Sequence, residues 1–102
     1  MGTFRQIFYQ IVFSTKYRKP CLPFEHQDDL YKYICGVIKN KQCQPLQVNG
    51  IDDHIHIMSD LHPSIALSDY VKAIKIASSI WMKESGKFSE FEHWQVGYGA
   101  FT

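Results

Sequence analysis

In the stretch IDDHIHIM, residues 51 to 58, isoleucine and histidine alternate, and no other feature narrows the fold as far. Successive side chains on a strand point to opposite faces, and residues two apart share a face about 6.6 Å from one another. Ile55 and Ile57 therefore lie on one side of a strand, with His54 and His56 together on the other. Two isoleucines select the side that helices cover. The imidazoles are then left on an open face, where solvent and a ligand reach them.

The rest of the chain supplies the covering layer. From Arg5 to Ser14 the sequence RQIFYQIVFS places Ile7, Tyr9, Ile11 and Phe13 at period two, which predicts a central strand. Pro20 and Pro23 break the pattern, because proline fixes φ and donates no backbone hydrogen bond. Leu30, Tyr33, Ile34, Val37 and Ile38 then follow the spacing of one helical stripe, predicting a helix from about His26 to Lys41. Leu46 to Val48 and Ile51 to Asp60 are expected strands, joined in a hairpin whose turn signal is Asn49-Gly50. A second helix is expected to start at Pro63-Ser64 or at Ser68, to face inward with Leu67, Val71, Ile74, Ser78 and Trp81, and to end at Gly86. The tail HWQVGYGAFT predicts a last strand. The order β-α-β-β-α-β is an α+β, ferredoxin-like (RRM-like) arrangement, an antiparallel sheet with two helices on one face.

With 102 residues, 45% of them hydrophobic, the chain buries one modest core, so a single domain is expected. A formal net charge of +1 gives no global field toward nucleic acid, and basic contacts must come from local clusters. Cys21, Cys35 and Cys43 form no CxxC spacing, and no leader precedes Phe4, which fits a cytoplasmic protein. No apolar run approaches the roughly 20 residues that cross a bilayer.

Two imidazoles on one strand face supply half of a tetrahedral or a third of an octahedral shell, and they suit several divalent ions. Asp52 shares their parity but sits close to the turn. The plain alternative is a surface strand whose polar side carries histidine by chance. His26, His62 and His93 read as surface or loop residues, and the cysteines as buried or idle. Lys16, Tyr17, Arg18 and Lys19 form the densest basic cluster, in which an aromatic between cations can stack on a base while its neighbours meet phosphates. A solvated loop is the alternative there too. Lys72, Lys75 and Lys83 are expected on the outer side of the second helix.

Four ordered blocks, VFSTKYRKP (12 to 20), DHIHIM (53 to 58), PSIALSDYVKAIKIASSIWM (63 to 82) and WQVGYGAFT (94 to 102), give the chain a wider resemblance. Together they resemble the single-tyrosine HUH transposases of small bacterial insertion sequences and the related transposases associated with repetitive extragenic palindromes. The resemblance implies cleavage and rejoining of single-stranded, hairpin-forming DNA, with Mg²⁺ or Mn²⁺ held by His54 and His56. It also implies a tyrosine nucleophile that becomes linked to a 5′-phosphate, on a later helix that brings a third ligand. That helix is expected beyond Thr102, and none of Tyr9, Tyr17, Tyr31, Tyr33, Tyr70 or Tyr98 stands in its context. The resemblance thus implies one domain over 1–102 without the tyrosine-bearing helix, inactive alone, no membrane association, and a homodimer joined at sheet edges. Trp94, Val96 and Phe101 of the last strand are the expected contributors to that edge. Two rival readings are a non-catalytic RRM-like nucleic-acid binder, for which the usual aromatic signature is missing, and a phosphoesterase or metal-binding regulatory domain using His93, for which a second His-x-Thr or His-x-Ser is missing.

Overall fold

The computed structural model describes residues 7–102. Its elements are β1 (Phe8–Ser14), α1 (Phe24–Asn40), β2 (Pro45–Gly50), β3 (His54–Asp60), α2 (Leu67–Ser85) and β4 (Gly99–Phe101). Arg5 and Gln6, at the start of the expected first strand, lie outside the described residues. The strands pair antiparallel in the order β2-β3-β1-β4, which is the expected ferredoxin-like topology.

Alternation on the two central strands decides which side is covered. Ile11 and Phe13 of β1 and Ile55, Ile57 and Ser59 of β3 are buried, while Gln10, Val12, Ser14, His54 and His56 are half-buried on the other face. Leu30, Ile34 and Ile38 of α1 and Tyr70, Val71 and Ile74 of α2 join the strand residues in one core cluster. α1 follows Pro23, whose missing N–H costs nothing at a helix start, and gives way to Gln42 in the left-handed region. α2 starts at Leu67, between the two expected positions, and Gly86 (φ 73°) ends it, as expected.

Two expectations are corrected. The β2–β3 turn is formed by Ile51, Asp52 and Asp53 rather than Asn49-Gly50, and both of those residues belong to β2. The glycine is needed for close approach: a Cβ at position 50 would overlap the His54 carbonyl oxygen. The tail is not one strand either. Only Gly99–Phe101 pairs with β1, and Trp94 makes a single bridge to Thr15 while its indole enters the core. It meets Phe13 and Phe91 edge-on, at 4.8 and 4.9 Å between ring centroids, and its Nε1–H donates to Ser78 Oγ at 3.0 Å. Trp94 is thus a core residue and unavailable to a sheet-edge contact.

Tyr70 is wholly buried, its hydroxyl 2.8 Å from Ser59 Oγ, and burial pushes its phenol well above the ordinary tyrosine range. A Tyr70→Phe change is expected to cost about 1 kcal/mol in urea unfolding. The raised native pKa contributes stability that is fully present below about pH 10, the unfolded value, and is lost as pH rises toward the native one. Tyr70→Phe therefore flattens the alkaline fall in stability, which denaturation curves between pH 9 and 11 would show.

Candidate functional site

The strand register places the imidazoles. His56 stands opposite Val12 of β1 and Asn49 of β2, and Val12 in turn faces Gly99 of β4; His54 stands opposite Ser14. Gly99 carries no side chain, and beside it opens a cleft of about 340 Å³ lined by Val12, Ser14, Arg18, His54, Gln95 and Tyr98 among others. His54 therefore borders a concave space on the uncovered face, as the alternation implied. His56 lies one step further along the strand, with Nε2 3.3 Å from Gln10 Oε1.

The carboxylate at this site is Asp53, which parity did not select. Asp52 is exposed at the turn and contributes its carbonyl to Leu22 N–H, 3.0 Å away. Asp53 Oδ1 is 3.0 Å from His54 Nδ1, and its Oδ2 accepts from Arg18 Nε at 3.3 Å. The His54 hydrogen bond, followed by the Arg18 guanidinium, holds the Asp53 carboxyl below the usual carboxylate range. Adjacency to His54 was visible in the sequence; the departure from strand geometry at the turn, which brings Asp53 round to that ring, was not.

The basic cluster folds as a tight turn. Tyr17 (φ 58°) and Arg18 (φ 55°) are both left-handed, a conformation that costs a non-glycine residue about 1 to 3 kcal/mol. Surrounding bonds hold it: Thr15 N–H donates to Asp53 O (2.9 Å), Thr15 Oγ1 to Lys19 O (2.7 Å), Lys16 N–H to His93 O (3.1 Å) and Tyr17 N–H to Gln95 Oε1 (3.3 Å). Tyr17 is 83% exposed, with the Lys16 ammonium 5.0 Å from its ring centroid. Arg18 reaches the His54 cleft; Lys19 instead pairs with Glu90 at 3.1 Å, and that hydrogen bond raises its pKa. Lys75 is not on the outer side of α2 as expected: it donates to Gln95 O (2.7 Å) and Gly97 O (2.8 Å), holding down the segment that walls the cleft.

The other candidate ligands are dispersed. His26 packs against Phe88, His62 bonds Ser64 and His93 lies 3.1 Å from the Trp94 carbonyl, while Cys21 and Cys43 are buried. Among the described residues no group of three His, Cys, Asp or Glu side chains could hold a metal ion. The donor set at His54 and His56 fits two positions of a divalent ion's shell, the rest falling to water, phosphate oxygen or another segment. No helix of the described residues is long and apolar enough to cross a membrane.

Comparison with known proteins places these features in a family. Residues 3–102 match the model of the family described as "Transposase IS200 like". The ISDra2 transposase TnpA of Deinococcus radiodurans is 28% identical over 78 residues, 76% of this chain and 56% of that protein. The transposase for insertion sequence element IS200 of Salmonella typhimurium is 26% identical over 95 residues, 88% of this chain and 62% of that protein. The matched stretch thus spans less than two thirds of the length of these curated relatives. Among solved structures, a chain of Deinococcus radiodurans R1 described as a candidate transposase superposes with a TM-score of 0.89 at 23% identity, covering 100% of this chain and 82% of that one. A REP-associated tyrosine transposase bound to a REP hairpin superposes with a TM-score of 0.66 at 15% identity, covering 99% of this chain and 61% of that one. These two likenesses establish the shared fold.

Proposed function

Because the chain belongs to the IS200-like transposase family, we propose that it serves DNA transposition by holding single-stranded, hairpin-forming DNA beside a divalent ion, for cleavage and rejoining. The observation that carries this reading is the imidazole pair on the uncovered sheet face, with Arg18 lining the cleft that His54 borders. His54 and His56 hold Mg²⁺ or Mn²⁺, which when bound stabilises charge on the scissile phosphate. Arg18 and Lys16 meet neighbouring phosphates, and the exposed Tyr17 ring offers a stacking surface for an unpaired base. Lys19 reaches a phosphate by releasing Glu90, an exposed pair of small worth.

The nucleophilic tyrosine comes, on this reading, from a segment other than these 102 residues. Tyr70 is buried on Ser59, Tyr31 bonds Gln27 and Tyr33 stacks on Trp81, with centroids 5.0 Å apart. Tyr98 lines the cleft from the irregular segment that leads into β4, whereas the family resemblance puts the nucleophile on a later helix. The homodimer is proposed on the β4 edge without Trp94, using Val96 (91% exposed) and Phe101 (54% exposed). Light scattering at micromolar concentration tests it, a monomeric mass counting against it. A cytoplasmic location belongs to the same proposal, as the compartment in which such a protein would act on cellular DNA.

The test uses the 102-residue chain, a labelled single-stranded hairpin and Mn²⁺. Binding stronger than to duplex DNA, weakened by His54→Ala with His56→Ala, and no covalent adduct are expected. An adduct that disappears in Tyr98→Phe would overturn the assignment of the nucleophile elsewhere. RNA binding indifferent to the histidines would favour a non-catalytic RRM-like binder. Arg18→Ala is expected to reduce the slope of log affinity against log salt by about 0.7, the value of one phosphate contact on a single strand.

A further inference from the structure

We infer that Asp53 is a positioning residue: one carboxylate accepts hydrogen bonds from His54 Nδ1–H and from Arg18 Nε–H, so that the His54 Nε2 lone pair and the remaining Arg18 donors are presented to the cleft together. The inference rests on the metal-holding role proposed for His54. It starts from a question of tautomer. A neutral imidazole has one N–H and one lone pair, and only the lone pair can ligate. An ionised carboxylate accepts hydrogen bonds and donates none, so the proton in the 3.0 Å contact between Asp53 Oδ1 and His54 Nδ1 belongs to the imidazole. That leaves Nε2 as the ligating atom.

Asp53 is fixed well enough to impose this choice. Its side chain is 16% exposed, and its own carbonyl accepts the Thr15 N–H at 2.9 Å. Among the described residues the second oxygen bonds Nε of Arg18, at 3.3 Å, and the terminal nitrogens of the guanidinium are left for a phosphate. Because Arg18 is left-handed and 35 positions from Asp53, this single bond sets where the charged end of the basic turn stands relative to the imidazole. A surface ion pair alone would do less: Arg18 is 67% exposed and contributes little stability through it. The value of the arrangement lies in orientation, the role that outer carboxylates play at histidine-ligated metals.

Nitrogen-15 NMR on the imidazoles at pH 9, without metal, reads the tautomer directly. The unsubstituted chain is expected to show His54 protonated at Nδ1. In Asp53→Ala, with the amide spectrum showing a folded chain, His54 is expected to shift toward the Nε2–H form that free histidine favours. Asp53→Asn keeps an acceptor oxygen and is expected to restore Nδ1–H. Mn²⁺ affinity should fall about 10- to 100-fold in Asp53→Ala, the usual cost of losing such a partner. His54 protonated at Nε2 in the unsubstituted chain, or a tautomer indifferent to Asp53→Ala, would overturn the inference even where Mn²⁺ binds through the histidines. A tautomer that follows Asp53 in a chain that binds no Mn²⁺ would support the orienting contact and sink the metal reading instead.

Discussion

Titration of Mn²⁺ into the 102-residue chain is expected to reveal one binding site, and the His54→Ala, His56→Ala double substitution to remove it. The two rings emerge from one strand face with a single residue between them, and the sheet backbone fixes both through β1 and β2. Neither ring has to be gathered from a mobile segment, so little conformational entropy opposes binding. The site is incomplete, since no third His, Cys, Asp or Glu of the described residues joins the pair; the affinity should be modest. Loss of outer-shell partners alone lowers metal affinity about 10- to 100-fold, and loss of both ligands should exceed that range. A His26→Ala, His62→Ala, His93→Ala chain should bind Mn²⁺ as before, because those rings stand on separate loops and helices.

Trp94→Ala should be the most destabilising single change away from the helices, by about 3 to 5 kcal/mol. The indole fills the space between Phe13, Phe91 and Ser78, and its removal leaves two rings without their edge-on partner. Ser78 keeps a hydrogen bond to Ile74 O at 2.7 Å, so the loss is chiefly one of packing. Against a typical total of about 5 to 15 kcal/mol, this change brings the chain near its limit. Trp94→Phe retains most of the ring volume and should lose about half as much or less. Because Trp94 leads into Gln95 and Tyr98 of the cleft wall, Mn²⁺ and DNA binding should weaken with stability. Equilibrium unfolding in urea measures the difference; a cost below about 1 kcal/mol would show that the tail is only loosely docked.

How far the sequence disclosed this molecule depends on the range of the interaction concerned. Period-two alternation in Ile11, Phe13, Ile55 and Ile57 and the stripe of Leu30, Ile34 and Ile38 are local signals of burial, and they defined the sheet's faces and its helical cover. The position of His54 and His56 followed from the same alternation. The turn at residues 51–53 was displaced from the strong Asn49-Gly50 signal because Gly50 serves the close passage of the His54 carbonyl, a contact that no local pattern encodes. Trp94 alternates with its neighbours as a strand residue would, yet a pocket between Phe13 and Phe91 claims its ring. The role of Asp53 is equally non-local: its bonds to Arg18 and Thr15 cross more than thirty positions of chain and depend on a left-handed turn.

The central claim is that His54 and His56 jointly hold a cation on the uncovered side of the sheet. Paramagnetic broadening by substoichiometric Mn²⁺ tests it most directly, because signal loss falls steeply with distance from the ion. The account predicts that broadening is greatest at His54 and His56 and at Val12 and Ser14 across the strand pair, and weaker at Ile34 and Ile74 beneath the sheet. Broadening centred on His26, His62 or His93, or spread evenly over the carboxylates of the surface, would contradict it.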